Sequence, residues 1–274
     1  MMEGNRNHML YYKNPITRFI LRRKLLNRIK MRTTYIWRKL TKNAFDDLQF
    51  LFSGKQVTSI IDVGANIGFV TYQFLKRFPK AHIYAFEPNP EVFQILKAGY
   101  INDQRVSTFA LGIGDINDYL QFNTNANTGT SSFLKPTKYH SNHQAKKPLE
   151  TLNIEVKTID KMAATLGVSN INILKLDIEG YELRALIGAK QLLENQAIDA
   201  IYTEVALVPQ YRGQPLFHEI TIYLEKYKYY LYNIDDFIGQ ESNIRQASIG
   251  NAIYISNNFR NFLENHFGWE NCGW

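Results

Sequence analysis

The sequence predicts an α/β protein: a doubly wound, mostly parallel sheet covered by helices on both faces, with an antiparallel strand pair near its C-terminal end and a helical N-terminal arm. Three observations carry this expectation. Beyond Ser53-Gly54, short apolar runs alternate with helical patterns, as in strands joined by crossover helices. The first run leads into a glycine-spaced loop, Gly64 to Gly68. The last two runs, 229–234 and 252–255, lie close enough to pair with one another. In open sheets of this kind, ligands gather at the carboxyl ends of strands, where strand order reverses.

Taken in order, 57–63 reads as a strand and 69–78 as a helix that stops before Pro79. Strand 81–86, helix 90–100 and strand 106–112 follow. The apolar run 171–176, interrupted by Asn172 and Lys175, is the next strand, and 181–194 a helix. Strand 197–205 and helix 216–226 precede the final pair. Between the third and fourth strands the alternation fails. Segments 119–123 and 154–158 read as strands of their own, flanking the polar stretch 123–148. Loops of this length inside a domain are uncommon and tend to be functional; this one reads as a cover over the site or as a plain insertion. Three divisions result: a basic arm over 1–52, a main domain over 53–258, and a tail over 259–274.

The charge is unevenly placed. The net +7 arises in residues 1–42, where twelve Lys/Arg face one acid, Glu3; the remaining twenty basic and twenty-four acidic residues leave the body mildly acidic. A nucleic-acid-binding body is therefore not expected. The 45% hydrophobic and 14% aromatic content is ample for a core. With Cys272 alone, no intrachain disulfide or cysteine zinc site can form. No apolar run approaches the ~20 residues that span a bilayer, and Arg22, Arg23 and Lys24 break the early apolar stretch. The expected location is cytoplasmic. The arm, without a clean apolar stripe, reads as helices packed on the domain, with weak membrane-surface contact as the alternative.

The loop Ile60 to Phe69, I-I-D-V-G-A-N-I-G-F, decides the ligand. A dinucleotide site needs G-x-G-x-x-G for close approach to a pyrophosphate. Here the spacing is Gly64-x-Asn66-x-Gly68, with Asp62 two residues earlier. A carboxylate there suits a positively charged amino-acid end better than a pyrophosphate. Asn66 tolerates unusual backbone angles. Glu87, in A-F-E-P-N-P, ends the second strand nineteen positions beyond Gly68, placed to accept both ribose hydroxyls. S-adenosylmethionine meets both demands. As a plain alternative, Asp62 and Glu87 could cap helices or loops.

Around these residues the chain resembles the FkbM-family methyltransferases, class I and S-adenosylmethionine-dependent. The matching stretches are I-I-D-V-G-A-N-I-G, A-F-E-P-N-P-E-V-F, F-A-L-G-I-G-D, V-K-T-I-D-K-M, I-L-K-L-D-I-E-G-Y-E-L-R-A-L-I-G-A, I-Y-T-E-V and L-Y-N-I. They run from about Val57 to Ile255, leaving the arm and tail unmatched. The resemblance implies a seven-strand Rossmann-like sheet and O-methylation of sugar or polyketide hydroxyls. The family more often has an acid straight after Leu-Gly, whereas Ile-Gly intervenes before Asp115 here. Asp115 joins the cofactor candidates on that match.

For the chemistry, Lys175, Asp177 and Glu179 alternate and would share a strand face. Methyl transfer is an in-line displacement in which the attacking hydroxyl must lose a proton. Asp177 is the first candidate for base or substrate orienter and Glu179 the second, with Lys175 beside them; Glu182 can cap the following helix. Glu204, ending the strand I-Y-T-E-V, is a substrate-contact candidate. His140, His143 and His218 read as surface residues, and Ser131 and Ser132 as turn formers or a substrate loop. Asp177 and Glu179 also resemble the acidic pair that holds a divalent metal in some transferases, but without a clear third ligand they do not require one. The competing readings are an NAD(P)-dependent oxidoreductase and a non-catalytic cofactor-binding scaffold whose arm contacts membrane or RNA. A base methyltransferase lacks its N-P-P-Y or D-P-P-Y segment. A small-molecule or glycan acceptor is the expected partner, without a specific nucleic acid.

Overall fold

The structure is a computed structural model and describes residues 43–138, 149–239 and 247–268. Residues 43–262 form one compact unit. The arm over 1–42, His140, His143 and Cys272 lie outside the described residues.

The described strands form two sheets. The main one has seven, in the order β3-β2-β1-β7-β8-β10-β9: β1 (Ser59–Val63), β2 (His82–Phe86), β3 (Val106–Phe109), β7 (Ile171–Leu176), β8 (Ile198–Ala206), β9 (Tyr229–Gly239) and β10 (Ala247–Ser256). β10 runs antiparallel to both β8 and β9, and the other pairs are parallel. A mostly parallel sheet with an antiparallel C-terminal pair is therefore the observed architecture. Every residue of β1 and β7 is buried, as befits central strands covered on both faces. Strand order reverses between β1 and β7, because β2 and β3 build outward on one side and β7 begins the other.

The helices that cover the sheet start and stop on local chemistry. Helix α1 (Ala44–Leu51) begins at Asn43, whose side chain accepts from Phe45 N–H, and buries Ala44, Leu48 and Leu51. These residues, which the sequence places with the arm, thus belong to the compact unit. Helix α2 (Phe69–Arg77) follows Gly68. Helix α3 (Pro90–Tyr100) has Pro90 in its first turn and Asn89 as its cap, both favourable at a helix start.

Between β3 and β7 lies the smaller sheet, ordered β4-β6-β5, from β4 (Gly112–Ile113), β5 (Asp118–Thr124) and β6 (Glu150–Lys157). Helix α4 (Ile159–Leu166) leads back to β7; Thr158 caps it and Gly167, at φ 68°, ends it. The continuous helix that the sequence suggests over 181–194 is broken instead. It becomes α5 (Glu182–Ile187) and α6 (Lys190–Glu194). A Cβ on Gly188 would lie 2.0 Å from the Gly114 carbonyl oxygen, so backbone contact occupies the break. The Asp160 carboxylate accepts from Gln191 and Leu192 N–H at 2.9 and 3.1 Å, which restarts the second piece. Helix α7 (Phe217–Glu225) joins β8 to β9, and α8 (Asn257–Phe267) follows β10. In α8, Phe259 is buried and stacks on Phe52 at 4.6 Å, so the packed chain continues past position 258.

Candidate active site

After β1 the chain turns through Gly64 to Gly68 into α2, with Gly64, Asn66 and Gly68 at φ 72°, 50° and 93°. A side chain at Gly64 would place its Cβ 2.0 Å from the Asp177 carbonyl oxygen, and one at Gly68 would meet Tyr100 at 2.4 Å. Glycine is required at both for the backbone to come this close. The Gly64 and Ala65 N–H groups donate to the Phe86 carbonyl at 3.0 and 2.9 Å, tying the loop to the end of β2.

Glu87 extends that tie. Its Oε2 accepts from Asn66 N–H at 2.9 Å and its Oε1 from Asn89 N–H at 2.8 Å. Burial pushes this carboxyl up to about 7, against the pull of those two donors. Glu87 lines a cleft shared with Gly64 and Asn66, Leu111 and Ile113, Thr128, Ser131 and Phe133, and Asp177. The sequence-derived pairing of the glycine loop with Glu87 is thus present in space.

Asp62 departs from that picture. The sequence assigns it to the ligand's amino end; the structure turns it inward, fully buried and away from the cleft wall. Its Oδ2 accepts from Thr71 Oγ1 at 2.7 Å, and its Oδ1 lies 3.2 Å from Lys175 Nζ. Lys175, equally buried, donates to the carbonyls of Val63 at 3.0 Å and Gly64 at 2.8 Å. Burial alone would lower the lysine's proton affinity, but Asp62 and Asp177 outweigh it and the net shift is upward. A lysine beneath the loop stays charged and fastens the ends of β1 and β7 together. Its place is structural, behind the reacting space that the sequence assigns to it.

Asp177 stands where β7 ends, its side chain 46% exposed and 3.8 Å from Lys175 Nζ. The chain then enters a turn in which Glu179 and Gly180 both have positive φ, 55° and 95°. Strain of this kind, about 1–3 kcal/mol per non-glycine residue, persists only where neighbours hold it. Here Glu182 holds it: its Oε1 accepts from Ile178 and Gly180 N–H at 3.0 and 3.2 Å. Glu182 is buried, and burial pushes its carboxyl up to about 7; it shapes the turn and serves α5.

Glu179 is half-buried and accepts from the Tyr211 hydroxyl at 2.8 Å through Oε2. Burial and the neighbouring Asp177 hold its carboxyl well above the usual range. Burial and Glu179 likewise push the Tyr211 phenol up, so it remains a donor. Tyr211 went unread in the sequence because it stands alone in the polar segment V-P-Q-Y-R-G-Q, without a periodic pattern. Glu204 on β8 is half-buried and raised by burial and by Glu179 and Asp177; the sequence candidate belongs to this cluster.

The described part of the long polar stretch is ordered against these groups. Ser132 pairs with Asn123, and its Oγ donates to the Glu179 carbonyl at 2.7 Å. Thr130's carbonyl accepts from Tyr211, while Thr137 N–H donates to the Gln210 carbonyl at 2.8 Å. The stretch therefore walls the cleft and links it to 208–214. Asp115 lies elsewhere: its carboxylate accepts from Arg184 at 2.7 Å and it is absent from the cleft lining. Its ion pair satisfies the acid before any ligand arrives. His218 is exposed. Among the described residues, no group of three or more His, Cys, Asp or Glu could hold a metal ion, and no helix is long and apolar enough to cross a membrane.

A doubly wound sheet with a carboxylate-lined cleft at its reversal point, served by a glycine loop of this spacing, defines a Rossmann-like methyltransferase fold. The chain belongs to the FkbM methyltransferase family, whose profile, the Methyltransferase FkbM domain, matches residues 62–231. It is 26% identical over 162 residues to the 2-O-methyltransferase NoeI of Sinorhizobium fredii, covering 57% of this chain and 66% of that protein. It is 28% identical over 174 residues to the hexuronic acid methyltransferase AglP of Haloferax volcanii, covering 62% and 66%. The match thus spans just under two thirds of either relative. Among solved structures, M. capricolum TrmK in complex with S-adenosyl-homocysteine superposes with a TM-score of 0.43 at 11% identity, covering 79% of this chain and 69% of that one. The oxidoreductase reading finds no support in these comparisons.

Proposed function

We propose that this chain transfers a methyl group from S-adenosylmethionine to a hydroxyl of a sugar, glycan or other small molecule. The observation that carries the reading is the cleft between two strand tips, with Gly64, Asn66 and Glu87 on one side and the exposed Asp177 on the other. The residues fit the cofactor: glycine-loop backbone approaches without Cβ obstruction, and Glu87 keeps lone pairs for a ribose diol beyond its two N–H bonds. When bound, the cofactor would supply an electrophilic methyl group and a good leaving group. Asp177 orients the acceptor hydroxyl and takes its proton at the carboxylate. Glu179, its proton affinity raised by burial and its Oε2 accepting from Tyr211, orients the acceptor beside it. The names of the two relatives, one a 2-O-methyltransferase and one acting on a hexuronic acid, favour sugar oxygen as the methyl acceptor.

Thermal shift with S-adenosylmethionine, S-adenosyl-homocysteine, NAD, NADP and UDP-sugars tests cofactor class. The sulfonium compound and its product should stabilise by about 2.7 kcal/mol at a hundredfold excess over Kd; stabilisation by a nicotinamide dinucleotide alone rejects the reading. Asp177→Asn should lower kcat by about 10²–10⁴-fold with cofactor affinity retained; lost cofactor affinity would move Asp177 to the donor side. The twelve basic residues of 1–42 suit an anionic membrane surface and a peripheral cytoplasmic location. Binding to anionic liposomes that persists on deleting 1–42 would remove that role.

A further inference from the structure

The acceptor has to lie beside Asp177, and the strand register identifies its neighbours. β1 and β7 pair Asp62 with Lys175 and Val63 with Leu176, while β7 and β8 pair Lys175 with Tyr202 and Leu176 with Thr203. One step further, the same registers align Gly64, Asp177 and Glu204. β10 continues the row, with Asn251 opposite Glu204. Residues at one level of adjacent strands present their side chains to the same face. A row of polar side chains therefore leads from the glycine loop along the carboxyl edge of β7 and β8 to β10.

The row differs from the charges beneath it in having unused bonding capacity. Lys175 is engaged by Asp62 and two carbonyls. By contrast, the Glu204 carboxyl and the Asn251 amide are half-buried and make no side-chain hydrogen bond among the described residues. A partly buried carboxyl without a partner is costly unless a ligand supplies one. Side by side, a carboxyl and an amide offer both acceptors and donors, the complement of neighbouring hydroxyls or of a hydroxyl beside an ammonium. Glu204 already feels Glu179 and Asp177 as like charges. A carboxylate or phosphate on the acceptor would add to that crowding, whereas hydroxyl or ammonium groups would relieve it.

We propose that Glu204, seconded by Asn251, selects the acceptor by charge, favouring an uncharged or amino-bearing polyol over an anionic one. This rests on the methyltransferase reading above and deepens it. Glu204 discriminates among acceptors, while Asp177 serves the reacting hydroxyl.

The test measures S-adenosyl-homocysteine release by the full chain with methyl glucoside, methyl glucosaminide and methyl glucuronide. Wild type should favour the first two over the glucuronide by at least about tenfold in kcat/KM. Glu204→Gln should shrink that ratio of kcat/KM values about tenfold or more. Asn251→Asp adds a carboxylate to the row and should widen the ratio, giving a second arm if Glu204→Gln does not fold. Preference for the glucuronide, an unchanged ratio in the folded variants, or turnover of none of the three with the cofactor bound overturns the proposal. Cofactor-induced thermal shift is read in parallel; its absence in wild type overturns the methyltransferase reading itself and this proposal with it.

Discussion

On the β1–β2 side of the cleft, Glu87 takes two backbone N–H groups, and the loop N–H groups of Gly64 and Ala65 reach the Phe86 carbonyl. On the β7–β8 side, Asp177 is nearly half exposed, Glu179 has one tyrosine, and the Glu204 side chain has no hydrogen bond among the described residues. The first side is preorganised for one ligand geometry. The second keeps its bonding capacity open and carries Glu179 and Glu204 at raised proton affinity. On the methyl transfer proposed above, a donor that is the same in every turnover calls for the former, and an acceptor surface that sets specificity calls for the latter.

The sharpest way to break this contrast is at the lysine joining the two sides. Lys175→Met leaves Asp62 charged and buried beside Thr71, and removal of one partner from such a pair costs about 3–5 kcal/mol. Denaturant unfolding should show that loss, and a double change with Asp62→Asn should recover part of it. An undiminished midpoint in Lys175→Met would mean that the pair does not hold the strand tips.

A smaller effect, confined to the donor side, follows from Glu87. Burial pushes its carboxyl up to about 7, above the usual carboxylate value of about 4.3. The folded state therefore holds the proton more tightly than the unfolded chain. The stability contributed by protonation is full below the ordinary value and lost as pH rises toward 7. Cofactor binding runs the other way, because a ribose diol donates best to the ionised form. Cofactor affinity should rise about tenfold per pH unit up to about 7 and then level off. Calorimetry across pH 5–8 measures this, and a flat profile in the wild type would remove Glu87 from the ribose. The smallest expected effect is on the other side: Tyr211→Phe removes one hydroxyl that serves Glu179 and Thr130, costing about 1–3 kcal/mol. Its signature is a changed acceptor KM with cofactor affinity intact; unchanged acceptor kinetics would place Tyr211 outside the acceptor region.

Sequence legibility divides along the same line. The bounds of α3 and β7 coincide with those predicted because each has a clean periodic or continuous apolar signal. The break between α5 and α6 was hidden, since Gly188 is there for a contact with Gly114, a residue remote in sequence. Helix α4 escaped although Thr158 and Gly167 mark its ends; its eight residues are too few to establish a period. Of the residues that line the cleft, Gly64, Asn66, Glu87 and Asp177 were singled out in the sequence. Spacing could not reveal that Asp62 and Lys175 face each other beneath the loop, or that Asp115 is taken by Arg184. Tyr211 and the Glu204–Asn251 row depend on strand register and on a bridge between two loops, which no linear pattern encodes.

The buried lysine ties the fate of one position to another. Asp62 without Lys175 is an uncompensated anion in the protein interior, and Lys175 without Asp62 is a cation left with two carbonyls and the more distant, partly exposed Asp177 carboxylate. Neither can mutate alone without penalty. Homologues should consequently keep both or exchange both for a neutral couple, and a lineage that lost them together would need some other fastening to hold its glycine loop against the neighbouring strand.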